Sequence, residues 1–385
     1  PRKSSSASHS GMPDWPSVRA QNGREAPWNV PYFQIGNETW HYFNKALAKR
    51  DLQSASVKEQ AEAYLVPLRA YLKAMHAVDP DIQIIVDGVS GAGRWVDQAI
   101  LTDPVVRAHT AYFAVHLYQP WGIQEVRRDG AAIPFEELDR EEVWNAWVAT
   151  PVINRQTSLS SLPAFPDWWL VDDLDLPLAV TEWNWNGWWQ GQGRPLDSWL
   201  ARGIGAAGML HAFMRRGDRV KIGCQSMLVG AKWGITAVRV QEGEPPRMLP
   251  TGQVTGLYSR RHGSERLRVD LLDLPTLRQP LRINNIAPAP RMATVDIVVT
   301  RGDGTLYLHA INRSMTDDAP VRFELASVGG TEDDATMHTL TGPIAAESGE
   351  PDATITTATV TADGDTLDLT LPARSVSVIE LPLTR

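Results

Sequence analysis

Two glutamates stand where apolar runs of strand length give out. "VPYFQIGNE" (30–38) closes on Asn37 and Glu38, and "PLAVTEWNW" (177–185) carries Glu182 followed by Asn184. Between them "AYFAVHLYQP" (111–120) ends on His116 and Tyr118, and "VKIGCQSMLV" (220–229) holds Gln225. Two carboxylates in one pocket can divide the labour of glycoside hydrolysis: one protonates a leaving oxygen while the other attacks the anomeric carbon. Their surroundings must then keep the first protonated and the second ionised. A histidine and a tyrosine near the second carboxylate could hold it ionised by hydrogen bonding. Trp183, Trp185, Trp188 and Trp189 crowd the same stretch, offering flat apolar faces with a polar edge that suit sugar rings. The pattern leaves a plain alternative open, in which Glu38 and Glu182 merely end their strands in structural ion pairs.

The elements that would position these groups alternate along the first part of the chain. The four runs above, with "IQIIVDG" (82–88), are separated by helical patterns. In the clearest helix Ser56 and Glu59 form a capping box. Ala61, Tyr64, Leu65, Leu68, Leu72 and Met75 then mark one apolar face at helical spacing, and Pro67 should bend it. A second helix is expected over "DSWLARGIGAAGMLHAFMRRGD" (197–218). Strand, helix, strand, repeated, predicts parallel strands with crossovers. Continuous apolar runs predict strands buried on both faces, and in a parallel barrel the C-terminal strand ends share one mouth.

From about residue 266 the character changes. All fifteen Trp lie at or before Trp233, and from about residue 266 onward only Tyr307 and Phe323 are aromatic. Short alternating stretches such as "TVDIVVTR", "GTLYLHAINRS", "PVRFELA" and "SVSVIEL" are punctuated by Gly, Asp and Pro. That period of two predicts an antiparallel sandwich. The division expected is a catalytic α/β part over 1–264 and a β-sandwich over 265–385.

Bulk properties narrow the field less. The 385 residues carry a formal charge of −8, from 37 basic and 45 acidic side chains, which argues against nucleic acid as a partner. No run of eighteen apolar residues is present, so no membrane span is expected. The opening "PRKSSSASHSGMPDWPS" lacks an apolar signal core, which favours the cytoplasm, and a first residue of Pro suggests a fragment or a processed product. The single Cys224 excludes an internal disulfide and reads as a small buried hydrophobe. His211 reads as a packed core residue. "GVSGAGRW" (88–95) lacks the lysine of a phosphate loop. The sequons at Asn37 and Asn312 are read as chance, and no histidine spacing suggests a metal site.

The stretch "WPSVRAQNGREAPWNVPYFQIGNE" resembles the segment leading into the acid/base of glycoside hydrolase family 51, the α-L-arabinofuranosidase family. "LAVTEWNW" is similar to its nucleophile strand and "FAVHLYQP" to the strand carrying a His and a Tyr. "DRVKIGCQSML" resembles its last barrel strand, "GLYSRRHG" its final helix, and "LHAINRS" and "LPARSVSVIEL" strands of its C-terminal sandwich. The likeness runs in order from about Trp15 to the end. It implies a (β/α)8 barrel followed by an antiparallel sandwich, with Glu38 as general acid/base and Glu182 as nucleophile. It further implies Asn37 and Gln225 on the sugar, and His116 and Tyr118 orienting Glu182. The implied activity is retaining removal of terminal α-L-arabinofuranosyl groups from arabinose-containing oligo- or polysaccharides, without a cofactor or metal, in a chain that could assemble as a homo-oligomer. If Glu38 ends barrel strand four, only strands four to eight are present. A second departure is "TWHYF" after Glu38, where the family pattern has a small or acidic residue and a Gly. A β-1,4-glucanase or β-xylosidase on the same barrel, or a non-catalytic carbohydrate-binding remnant, stays open.

Overall fold

The computed structural model describes residues 14–87, 94–119, 125–134, 137–149, 176–185, 199–231, 236–283, 288–344 and 353–384. In chain order the α/β part runs α1 (Trp15–Gln21), β1 (Tyr32–Ile35), α2 (Trp40–Ala48), α3 (Val57–Val78), β2 (Gln83–Asp87), α4 (Arg94–Leu101), α5 (Pro104–His109) and β3 (Thr110–Gln119). It continues through β4 (Val126–Arg128), β5 (Ala131–Ala132), α6 (Arg140–Ala149), β6 (Leu178–Trp185), α7 (Trp199–Arg215), β7 (Val220–Gln225), β8 (Val229–Gly230), β9 (Val238–Arg239), β10 (Arg247–Met248) and α8 (Pro250–Arg260).

The five expected strands form one sheet in the order β1-β2-β3-β6-β7, every pair parallel. Helix α3 begins at the expected capping box, with Ser56 accepting from the Glu59 N–H and Glu59 returning to the Ser56 N–H. Ala61, Leu65, Leu68 and Leu72 are buried, and Tyr64 and Met75 pack against the same core. The helix runs through Pro67, which sits exposed, where water can satisfy the carbonyl that loses its N–H partner.

Burial on both faces holds for the middle of the sheet and fails at its edges. Phe113, Val115, Leu117, Leu178 and Val180 face the helices in the main core, while Ile85, Ala114 and Ala179 form a smaller cluster on the opposite, inner face. At the edges Tyr32 and Phe33 remain 47 % and 40 % exposed, and Lys221, Gly223 and Cys224 of β7 are exposed. Each edge strand has a neighbour on one side only, so half of its surface has nothing to cover it. Cys224 is thus not the buried hydrophobe expected.

The remaining strands are β11 (Glu265–Leu267), β12 (Thr276–Gln279), β13 (Leu281–Ile283), β14 (Ala289–Ala293), β15 (Val295–Gly302), β16 (Thr305–Asn312), β17 (Ala319–Glu324), β18 (Asp334–Thr341), β19 (Thr354–Thr361), β20 (Thr366–Leu371) and β21 (Ser375–Pro382). A six-stranded antiparallel sheet, β11-β15-β16-β21-β18-β19, encloses a second core with the β17-β20 pair, which includes Val295, Ile297, Leu308, Phe323, Leu369 and Ile379. The division near residue 265 is bridged, since β13 pairs with β4 of the α/β part. The large sheet's other face packs on α7, where Asp296 of β15 meets Arg215 and His211. Among the described residues no helix is long and apolar enough to cross a membrane.

Candidate active site

The inner face near the C-terminal strand ends is where the polar side chains gather. On β3 Phe113, Val115 and Leu117 pack toward the helices, so alternation sends His116 and Tyr118 inward. On β6 plain alternation would send Glu182 outward with Leu178 and Val180. It does not, because Val115 pairs with Val180 and His116 with Glu182, leaving Thr181 without a counterpart. This one-residue bulge switches the parity of the strand end. Glu182 turns inward, and Trp183 and Trp185 turn outward into the core, both fully buried. Gly205 of α7 makes room, since a Cβ there would meet the Trp185 ring at 2.1 Å. The expectation that Trp183 and Trp185 offer faces to a sugar is therefore corrected: their rings are core. Trp188, Trp189 and the loop 88–93 lie outside the described residues, as does the Trp40 side chain.

Glu38 reaches the same place from a strained turn after β1. Its φ is +48° and that of Gly36 is +91°, a region costing a residue with a Cβ roughly 1–2 kcal/mol. A Cβ on Gly36 would also meet Thr39 Cγ2 at 2.7 Å and Asp87 Cβ at 3.2 Å. The turn is held by Asp87, buried at the end of β2, whose Oδ2 accepts from the Thr39 N–H at 2.9 Å and its hydroxyl at 3.1 Å. Burial raises the Asp87 pKa, against the lowering effect of these bonds. Tyr64 of α3 donates to the Asp87 carbonyl at 2.7 Å, which ties the strand end to the helix layer.

Around these strand ends the side chains close a hydrogen-bonded cluster. Tyr118 donates to Glu182 Oε2 at 2.6 Å and Ser226 to the same oxygen at 3.3 Å. His116, only 3 % exposed, sets Nδ1 3.0 Å from Glu38 Oε1 and 3.6 Å from Glu182 Oε2. It is thus nearer the first carboxylate than the one it was expected to orient. His41 closes the outer side, Nε2 lying 3.0 Å from Glu38 Oε2. One oxygen of each glutamate and the His116 nitrogen all lie within 4.8 Å of one another. Those three groups could also hold a cation; as they stand, Glu38 pairs with His116, and Glu182 accepts from Tyr118 and Ser226. Both carboxylates keep contact with solvent, at 32 % exposure for Glu38 and 27 % for Glu182. Burial and the bond to Glu182 push the Tyr118 pKa up, so it stays a donor.

Of the six residues expected here, Glu38, Glu182, His116 and Tyr118 meet directly. Asn37 is exposed beside Glu38. Gln225 pairs in register with Trp183 and turns outward with it, its amide donating to the Thr251 carbonyl at 3.4 Å. Its neighbour Ser226 takes the inward place instead, locked by its N–H to the Trp183 carbonyl at 2.9 Å and by Asn184, which donates to the Ser226 carbonyl at 3.0 Å. Asp87, Ser226 and His41 were not expected as site residues. Asp87 carried a signal, because it ends a strand as the glutamates do.

Paired carboxylates at the C-terminal ends of parallel strands, before an antiparallel sandwich, place the chain among the α/β proteins of glycosidase architecture. Residues 8–121 match the alpha-L-arabinofuranosidase 1 domain, and residues 182–375, just over half of the chain, match the alpha-L-arabinofuranosidase C-terminal domain. The chain belongs to the alpha-L-arabinofuranosidase family. It is 30 % identical over 174 residues to a probable alpha-L-arabinofuranosidase C of Aspergillus terreus, covering 44 % of this chain and 30 % of that protein. With the alpha-L-arabinofuranosidase C of Emericella nidulans it shares 31 % over 94 residues, 24 % of this chain and 16 % of that one. It therefore spans under a third of these relatives. In fold it resembles the alpha-L-arabinofuranosidase of Thermotoga maritima in its arabinose complex, with a TM-score of 0.61 and 18 % identity over 97 % of this chain and 70 % of that one. The family 51 enzyme AbfB of Bifidobacterium longum gives 0.63 and 16 %, over 96 % and 71 %.

Proposed function

We propose that the chain carries the catalytic pair of a retaining α-L-arabinofuranosidase, acting on terminal arabinofuranosyl groups of arabinose-containing oligo- or polysaccharides. The observation that carries this is the close approach of Glu38 and Glu182, within 4.8 Å through one oxygen each. Retaining glycosidases hold their carboxyl groups about 5–5.5 Å apart, inverting ones about 6.5–9.5 Å to admit a water. Tyr118 and Ser226 both donate to Oε2 of Glu182, so Oε1 is the oxygen that attacks the anomeric carbon. As the bond to the leaving oxygen breaks, Glu38 gives it a proton. Glu38 then takes a proton from water, which displaces Glu182 and releases the sugar with its configuration kept. Asn37, exposed beside the acid, would contact a sugar hydroxyl.

The five parallel strands are proposed to be the closing five of an eight-stranded barrel, with three more joining β7 to β1. The exposed Tyr32 and Phe33 on one edge and the exposed inner face of β7 on the other support this. No cofactor enters the scheme. A homo-oligomer follows the same family likeness as a proposal.

The experiment is hydrolysis of 4-nitrophenyl α-L-arabinofuranoside by this chain and by Glu182→Gln, with the released sugar's anomer followed by NMR. Turnover with retention that disappears in the variant is expected. Release of the inverted anomer, or preference for the β-xyloside or a β-glucan, would overturn the reading.

A further inference from the structure

One buried acid beside the cluster has no task in the scheme above. On β2 Ile84 and Val86 pack in the helix-side core and Ile85 on the inner face, so alternation turns Asp87 inward. Asp87 pairs in register with Ala114, two residues before His116 on β3, and is fully buried. Its Oδ2 takes both bonds from Thr39, the N–H at 2.9 Å and the hydroxyl at 3.1 Å. Its Oδ1 is buried with no hydrogen-bond partner. A carboxylate with one oxygen unsatisfied away from water is destabilising, which marks a constraint on the chain rather than a contribution to stability.

Two local features show what is constrained. Thr39 is the N-cap of α2, where a threonine hydroxyl ordinarily accepts from an N–H of the first turn. Here it makes no such bond and is given to Asp87 instead. Glu38, just before it, has a φ of +48°, left-handed backbone that a residue with a Cβ keeps only where its surroundings over-determine it. On the other side Gly36 lies so close that a Cβ there would come within 3.2 Å of the Asp87 Cβ. Asp87 thus holds the chain on both sides of Glu38. A return of φ to the ordinary negative region would re-aim the Glu38 Cα–Cβ bond and carry the carboxyl group off its present line to Glu182.

Resting on the reading of Glu38 as acid/base, we propose that Asp87 is a positioning residue for it, locking the left-handed turn through Thr39 so that the carboxyl group meets the leaving oxygen. Displacing a catalytic group by about 1 Å can cost roughly 10²-fold in rate. A loosened turn therefore weakens the acid while Glu182 and its donors stay in place.

The test uses aryl α-L-arabinofuranosides of graded leaving-group acidity on the full chain. With a phenyl leaving group, which needs a proton, Asp87→Ala should lower kcat/KM roughly 10–100-fold, part of the ~10²–10⁴ that a general acid supplies. With 2,4-dinitrophenol, which needs none, kcat/KM should stay within about threefold of the unaltered chain. Its kcat should still fall, because Glu38 must draw a proton from water in the second step. Azide, a nucleophile that needs no base, should restore it by displacing Glu182 to give the glycosyl azide. Asp87→Asn keeps an acceptor oxygen for Thr39 and should recover most of the loss. Where Asp87→Ala fails to fold, Thr39→Val, which removes one of the two bonds, should show the same leaving-group dependence at roughly threefold. A loss equal across leaving groups marks a structural role and overturns the inference, as does no loss, or a loss in Asp87→Asn as large as in Asp87→Ala. If the unaltered chain hydrolyses no furanoside, the reading of the site falls and this inference falls with it.

Discussion

The molecule holds two carboxylate clusters built from similar parts and set in opposite surroundings. At the strand ends Glu38 and Glu182 are surrounded by His116, His41, Tyr118 and Ser226, with no arginine bonded to either among the described residues. Between α7 and the sandwich, Asp296 is surrounded by His211, Arg215 and Arg313, with Tyr258 bonded to His211 at 2.9 Å. The first pair is about 30 % exposed and the Asp296 side chain 8 %. A buried carboxylate survives only with its charge matched and its lone pairs filled, and two guanidinium groups do that for Asp296. Despite burial, they hold its pKa well below the usual carboxylate range. On the proposed reading, a carboxylate that exchanges protons and forms a bond cannot be neutralised so completely. Partners that are neutral, or can become so, and an open side keep it reactive.

The largest expected effect breaks the first cluster. Glu182→Gln should remove turnover by more than the ~10²–10⁴ that general acid catalysis contributes, while the thermal midpoint stays near that of the unaltered chain. A midpoint that drops sharply with Glu182→Gln would put its carboxylate in the structural class with Asp296. Next in size, Asp296→Ala leaves the buried Arg313 and the half-buried Arg215 without their anion and should cost about 3–5 kcal/mol of stability, read from urea denaturation. Activity per folded molecule should persist, and its loss without unfolding would show that the two clusters are coupled.

A third effect follows from pH. Burial holds the His309 pKa well below the usual imidazole value and lowers that of His211 despite the nearby Asp296. Both are neutral when folded, whereas in the unfolded chain histidine takes a proton below about pH 6.5. The unfolded state then binds more protons, so stability should rise with pH up to about 6.5 and fall below it. Urea midpoints at pH 7.5 and 5.0 should differ, and His309→Leu should flatten the slope. An unchanged slope would place the pH response elsewhere.

Much of this was legible in sequence, because polar groups at strand ends and apolar faces of helices both follow simple periods. Glu38, Glu182, His116 and Tyr118 were found by noting where apolar runs stop. What could not be read was anything set by a break in period. Thr181 looks like any strand residue, yet its bulge decides that Glu182 faces in and that Trp183 and Trp185 face out. Asp296 in "TVDIVVTR" sits at an alternate position that reads as solvent-facing, and only α7 packing on that face makes it a buried anchor. Cys224 failed because edge burial depends on neighbours that no local pattern specifies.

The smallest effect tests the finest distinction. Family likeness puts Gln225 on the sugar, whereas the register turns it outward to Thr251 and gives Ser226 the inward place. Ser226→Ala removes one 3.3 Å bond to Glu182, and a neutral or charge-assisted bond of that kind is worth about 0.5–3 kcal/mol. With Tyr118 still donating, the lower part applies, so kcat should fall roughly three- to tenfold with KM little changed. Gln225→Ala should leave both constants within about twofold, since among the described residues its amide bonds the backbone of α8 alone, at 3.4 Å, a bond of the weakest geometry. If Gln225→Ala instead raises KM tenfold while Ser226→Ala is silent, the strand end is turned the other way when sugar is bound. The bulge at Thr181 would then be the first place to look for the switch.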